Sequence, residues 1–258
     1  MGVSVCTRIA NWQGSKIGDH RWSEARQPST GTEHFGREQL GVRRRIRAII
    51  FDLDGTLVRY RGVEFESSWG AIAAAAGMQK ESEQILHEFL PRRDAYTKWV
   101  ERDAALLTGI PVDDIAMKIF PPPYATGARS AIAALRGRYT MGILSSGVDL
   151  VADRAREELG LDFSVANRLL VKDGRFTGES ETVVDLWKKA DVMKEIAAKH
   201  NLDLSEICFV GDHMNDVPVM RIVGLSIAMN AKDEELVRIA DHVVTDFTLI
   251  PQIIESSR

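Results

Sequence analysis

The chain has 258 residues, 45% hydrophobic and 27% charged, with 33 Lys and Arg against 37 Asp and Glu. That is an ordinary globular mixture, long enough for one large domain or for a core with a smaller insert. The net charge of -4 argues against general nucleic-acid binding. No apolar run approaches the roughly 20 residues of a membrane span.

Met1 to Ala10 lacks a positive end followed by an apolar core, so no secretory signal is expected. The two cysteines, Cys6 and Cys208, stand far apart without metal-site spacing. They fit a reducing, cytoplasmic setting, with Cys208 a buried thiol. Residues 1–42 are polar and glycine-rich without sustained periodicity, and read as a poorly ordered extension. Trp12, Trp22 and Phe35 are scattered, and His20 and His34 lack ligand spacing. Arg43-Arg44-Arg45 reads as a solvated lead into the first strand.

Ile49-Ile50-Phe51 reads as a buried strand of a parallel sheet, followed by Asp52-Leu53-Asp54-Gly55-Thr56-Leu57. Alternate strand residues share a face, so Asp52 and Asp54 are expected in one crevice at the strand's carboxyl end. Two neighbouring carboxylates repel unless a cation sits between them, and a hard cation such as Mg²⁺ takes oxygen ligands.

Residues 60–126 carry no evident strand. Phe65, Trp69 and Ile72 recur at helical spacing before Gly77. Ser82 to Leu90 continues helically, Pro91 is expected to open a helix reaching Leu107, and Pro111 another reaching Phe120. Trp69, Tyr96 and Trp99 read as packing residues of a small bundle. Pro121-Pro122-Pro123 is a rigid break.

From Gly127 strands and helices alternate, implying a parallel sheet with right-handed crossovers. The spacing predicts a helix over 128–135, a strand over 139–144 ending in a Ser145-Ser146-Gly147 turn, and a helix over 150–159. A hairpin is expected to turn at Asp173-Gly174. A helix over 188–200 and strands over 207–210, 225–228 and 242–245 complete the chain.

Together these features resemble the haloacid dehalogenase superfamily, whose members are mostly phosphatases with an aspartate nucleophile. The resemblance rests on Asp52-x-Asp54-Gly55-Thr56, on a strand ending in Ser145, on Lys189 at a helix start, and on Gly211-Asp212-x-x-Asn215-Asp216. It implies a Rossmann-like α/β core, residues 43–59 and 127–258, with a small helical cap, residues 60–126, inserted after the first strand. Asp52 would be the nucleophile and Asp54 the general acid and base. Ser145, Ser146, Gly147, Lys189 and Asn215 would bind phosphate. Asp52, Asp54 (through its carbonyl) and Asp212 would hold Mg²⁺, with Asp216 in support. The resemblance favours Lys189 over Lys188 as the phosphate lysine.

The small cap, Leu159-Gly160-Leu161-Asp162-Phe163 and Ala166-Asn167-Arg168-Leu169 are similar to the phosphoserine phosphatase branch. One place departs from it. That branch usually has a substrate-binding Glu about seven positions after the second Asp, where this chain has Arg61, with Glu64 and Glu66 further on. Arg61 would repel an ammonium and suit an anionic or sugar-like substrate, whereas Glu64 or Glu66 would replace the missing Glu if the loop is longer. Glu101 or Arg102 is nearest to the branch's carboxylate-binding Arg. The expectation is therefore a Mg²⁺-dependent phosphomonoester phosphatase acting on a small phosphorylated metabolite. A phosphoserine phosphatase of serine biosynthesis, and a non-catalytic regulatory protein on the same scaffold, are the alternatives. Neither nucleic acid nor a membrane is an expected partner, and the oligomeric state stays open.

Overall fold

The computed structural model describes residues 45–257. The expectations for residues 1–42, Cys6, His20, His34, Arg43 and Arg44 lie outside the described residues.

The first strand, β1 (Ala48–Phe51), is Ala-Ile-Ile-Phe and buried along its whole length. Four helices come next: α1 (Ser68–Ala75), α2 (Gln79–Phe89), α3 (Tyr96–Ala105) and α4 (Val112–Ile119). Then come α5 (Ala128–Leu135), β2 (Thr140–Val148), α6 (Asp149–Leu159), β3 (Phe163–Lys172) and β4 (Arg175–Glu181). The chain continues through α7 (Lys189–Lys199), β5 (Ile207–Gly211), α8 (Val217–Met220) and β6 (Leu225–Met229). It ends with α9 (Glu234–Ile239), β7 (His242–Val244) and α10 (Ile250–Ser256).

The sheet runs β4-β3-β2-β1-β5-β6-β7. Every pairing is parallel except the β3–β4 hairpin. At its turn Asp173 and Gly174 take φ of 50° and 72°, the paired left-handed conformation that Asp-Gly favours. Strand alternation sends Ile49, Phe51, Met141, Ile143, Cys208 and Val210 into one apolar layer with residues of α5, α6 and α10. Ala48, Ile50, Leu144 and Phe209 enter the opposite layer with residues of α7, α8 and α9. Cys208 is a fully buried free thiol, its pKa raised by that burial. No described helix is long and apolar enough to cross a membrane.

Three local expectations are corrected. Phe65 is not in α1: it lies in a single turn, Glu64–Glu66, with φ 57°, and the helix begins after Ser67, whose hydroxyl accepts from the Gly70 N–H. Pro91 does not open α3, which starts five residues later behind a turn at Arg93–Ala95. Ser145-Ser146-Gly147 is not a turn but part of β2, because Val148 pairs again with Asn167 of β3 after a shift of register that begins beyond Leu144. A parallel neighbour on that side extends the strand through residues whose own preference is for turns.

Candidate active site

The chain runs from β1 outward through β2, β3 and β4, then returns to the other side of β1 as β5. That reversal leaves a crevice at the carboxyl ends of β1 and β5, where open α/β sheets bind ligands. Asp52 follows β1 directly and Asp212 follows β5 directly. Leu53 to Val58 forms a tight turn, with the Val58 N–H donating to Leu53 O (2.9 Å) and the Gly55 N–H to Val58 O (2.8 Å). Gly55 has φ 82°, and a Cβ there would run into the Asp212 carboxylate and the Lys232 ammonium. Both demands select glycine.

Lys189, the first residue of α7, is fully buried. Its Nζ donates to Asp52 Oδ1 (2.6 Å) and Asp216 Oδ1 (2.7 Å). Burial works against the ammonium, but Asp216 and Asp52 outweigh it and hold the pKa above the ordinary lysine value. Lys188, one residue earlier, is exposed. Asp216 Oδ2 accepts from the Asp212 N–H (3.0 Å) and the His213 N–H (3.4 Å), so both its oxygens are engaged. Asn215 is buried beside it on the turn Met214–Asp216.

Asp212 accepts from Thr56 Oγ1 (3.2 Å) and pairs with Lys232 Nζ (2.8 Å). Lys232 was not singled out from the sequence, since a lone lysine after a short strand carries no local signal. It also pairs with Glu66 (3.2 Å), which Arg59 holds from the other side at 3.0 Å. Burial pushes Glu66 up, but Arg59 and Lys232 overcome it and leave its carboxyl below the usual value.

Asp54 is held by a different element. Its carboxylate accepts from the Ser68 N–H (2.9 Å) and the Ser68 hydroxyl (2.7 Å) at the start of α1. Burial pushes it up to about 6, against the pull of those two hydrogen bonds. Ser68, like Lys232, was missed in the sequence.

Oxygens of Asp52, Asp212 and Asp216 lie within 4.8 Å of one another. Burial raises the proton affinity of Asp52 and Asp212, with Lys189 and Lys232 opposing it. Three carboxylates thus face two ammoniums, one of which is shared with Glu66. Oxygen donors with a deficit of positive charge suit a hard divalent cation. The close carboxylate group holds Asp52 and Asp212 of the expected set and adds Asp216.

Ser145 is buried, and its Oγ accepts from the Gly147 N–H (2.9 Å). A Cβ at Gly147 would meet Asp54 Oδ2 and Ser68 Oγ, which sets this segment directly beside Asp54. Ser146 O accepts three hydrogen bonds, from Asn167 Nδ2 (2.8 Å), Tyr96 OH (2.9 Å) and Trp69 Nε1 (3.1 Å). Trp69 and Tyr96 therefore do more than pack.

Arg61 is exposed. Glu64 pairs with His87 (3.3 Å), Arg102 pairs with Glu88 (3.4 Å), and Glu101 is exposed on α3. Among the described residues no hydrogen bond or ion pair joins these four to Asp52, Asp54 or Asp212. The carboxylate brought to the crevice mouth is Glu66. The left-handed backbone at Phe65 and Glu66 turns the chain back toward Lys232.

Residues 49–221 match the family described as haloacid dehalogenase-like hydrolase. The chain is 31% identical over 188 residues to a phosphoserine phosphatase of Methanocaldococcus jannaschii, covering 72% of this chain and 86% of that protein. It is 30% identical over 206 residues to a phosphoserine phosphatase of Archaeoglobus fulgidus, covering 79% of this chain and 58% of that protein. A solved structure described as a phospho-aspartyl intermediate analogue of phosphoserine phosphatase matches with TM-score 0.67 and 30% identity, over 81% of this chain and 99% of the other.

Proposed function

Since the chain belongs to the haloacid dehalogenase-like hydrolases, in their phosphoserine-phosphatase-like branch, we propose that it is a Mg²⁺-dependent phosphatase of a small phosphorylated metabolite. The observation that carries this reading is the buried Lys189 bridging Asp52 and Asp216, with Asp54, its proton affinity raised by burial, beside Gly147.

Asp52 attacks phosphorus through the oxygen not held by Lys189, and the bond to the leaving oxygen breaks. Asp54 gives its proton to that oxygen; a group whose pKa is about 6 holds and returns a proton near neutral pH. The product is an aspartyl-phosphate and a free alcohol. Asp54, now a carboxylate, takes a proton from water as the water attacks phosphorus, releasing inorganic phosphate and restoring Asp52. Lys189 and the Ser145 hydroxyl, which the Gly147 N–H holds in place, stabilise charge on the transferring group. Asp52, Asp212 and the Asp54 carbonyl would hold Mg²⁺, which neutralises carboxylate and phosphate charge when bound. Asp216 supports Lys189, and Asn215 borders the same turn. Residues 60–126 act as a cap over a core made of residues 43–59 and 127–258, excluding water from the crevice.

Glu66 favours a second, narrower reading, a phosphoserine phosphatase of serine biosynthesis. It sits at the crevice mouth, where an acid could meet an ammonium, and exposed Arg61 is well screened. Against it, Glu66 already has Arg59 and Lys232 as partners, so a substrate ammonium would compete with two cations. The test is phosphate release from phosphoserine, phosphothreonine, sugar phosphates, nucleoside monophosphates and p-nitrophenyl phosphate, with Mg²⁺ or EDTA. The proposal expects Mg²⁺-dependent release from at least one ester. Selectivity for phosphoserine, lost in Glu66→Gln, selects the second reading. No release from any member contradicts both.

A further inference from the structure

Ser146 O is held from three directions by parts of the chain that are far apart in sequence. Trp69 comes from α1, Tyr96 from α3 and Asn167 from β3. Asn167 is itself immobilised: its Oδ1 accepts from the Val183 and Val184 N–H groups, each at 2.8 Å, so its Nδ2 is left to donate. That nitrogen also donates to the Tyr96 hydroxyl (3.1 Å), which in turn donates to Ser146 O. Asn167 is fully buried and Tyr96 nearly so.

The peptide unit is planar, so a fixed carbonyl oxygen also fixes the N–H on its far side. Here that N–H belongs to Gly147. It points to Ser145 Oγ, and Gly147 abuts Asp54 and Ser68. Glycine places few restraints of its own on the orientation of that peptide. The restraint comes instead from the three donors, two of which belong to helices inserted between β1 and β2.

We propose that Trp69 and Tyr96 are positioning residues that lock the Ser146–Gly147 peptide, so that the Gly147 N–H holds the Ser145 hydroxyl toward the phosphoryl group only while α1 and α3 are seated. This rests on the phosphatase reading above. Neither side chain touches the reacting atoms. Each acts through the carbonyl it holds, and phosphate affinity thereby depends on the placement of the helical segment.

The experiment measures KM, kcat and competitive inhibition by inorganic phosphate for the parent, Tyr96→Phe, Trp69→Phe and Trp99→Phe. Trp99 is the control: it lies on α3 and donates from Nε1 to Asp103 (2.9 Å), not to Ser146. Thermal unfolding is recorded for all four. One lost hydrogen bond corresponds to a factor of about five. Tyr96→Phe and Trp69→Phe should each weaken inorganic phosphate inhibition and raise KM by about that factor, with kcat changing less. Trp99→Phe should leave phosphate inhibition unchanged whatever it does to unfolding.

Equal phosphate inhibition in parent, Tyr96→Phe and Trp69→Phe overturns the inference and leaves the phosphatase reading standing. So does a loss that Trp99→Phe shares in proportion to its loss of stability. A parent that is active on no ester and binds no phosphate overturns the functional reading first, and the inference with it.

Discussion

Lys189→Ala removes the ammonium that bridges Asp52 and Asp216. The lysine is fully buried, with donor distances of 2.6 and 2.7 Å to the two carboxylates. Deleting one partner of a buried ion pair costs about 3–5 kcal/mol, because the remaining charge is left uncompensated. Against a total stability of about 5–15 kcal/mol, that is a large share. At 2–4 °C per kcal/mol for a chain of this size, the melting temperature should fall by roughly 10 °C.

The loss must depend on pH. Burial already raises the pKa of Asp52 in the presence of Lys189, and removing the lysine takes away the main force opposing that rise. A carboxylate whose folded pKa lies above its unfolded one destabilises the fold progressively as pH rises between the two values. The deficit of Lys189→Ala should therefore be larger at pH 8 than at pH 5. Urea unfolding followed by circular dichroism, at both pH values and in EDTA so that no divalent ion substitutes, measures it. A deficit under about 1 kcal/mol at pH 8, below even the low end for a broken buried pair, would refute the reasoning. So would a deficit that is greater at pH 5.

Three further outcomes are expected. Asp54→Asn should lower turnover of alkyl phosphates by about 10²–10⁴, the usual worth of general acid–base catalysis. It should lower that of p-nitrophenyl phosphate less, since its leaving group needs little protonation; equal losses would remove Asp54 from the acid role. Asp103, buried and hydrogen-bonded by Ser82 and Trp99, is pushed up to about 6 by burial. Its folded pKa is raised, so it costs stability as pH climbs from about 4 through about 6, on the order of 3 kcal/mol in full. Asp103→Asn should flatten that part of the stability–pH curve, and an unchanged curve would contradict the assignment. Gly55→Ala puts a Cβ at φ 82° against Asp212 and Lys232. It should cost about 1–3 kcal/mol in thermal unfolding and raise the Mg²⁺ concentration needed for half-maximal activity.

Much of the crevice was legible because its residues follow strands directly. Asp52 and Asp212 sit one position beyond β1 and β5, and a hydrophobic run followed by acid and glycine marks such a place. The sheet was equally legible where apolar runs were continuous. The end of β2 was not: Ser145, Ser146 and Gly147 favour turns alone, and only the pairing of Val148 with Asn167 reveals an extended strand. Phe65 misled through spacing. It stands four positions before Trp69, as on a helix face, yet it packs edge-to-face on His213 with ring centres 5.4 Å apart. Lys232, Ser68 and the tie from Trp69 and Tyr96 to Ser146 join segments far apart in sequence, and no local pattern encodes such meetings. Arg61 held the sequence position of a specificity residue, but the turn at Glu64–Glu66 brings Glu66 to the mouth instead.

The most direct test of the central claim is to trap the covalent intermediate. A substrate that the parent hydrolyses is mixed with it in Mg²⁺ and quenched in acid within one turnover, and the digested protein is read by mass spectrometry. The account predicts one added phosphoryl group on the peptide carrying Asp52, absent in Asp52→Asn. A phosphoryl group on Ser145 or His213, or undiminished phosphate release from Asp52→Asn, would contradict it.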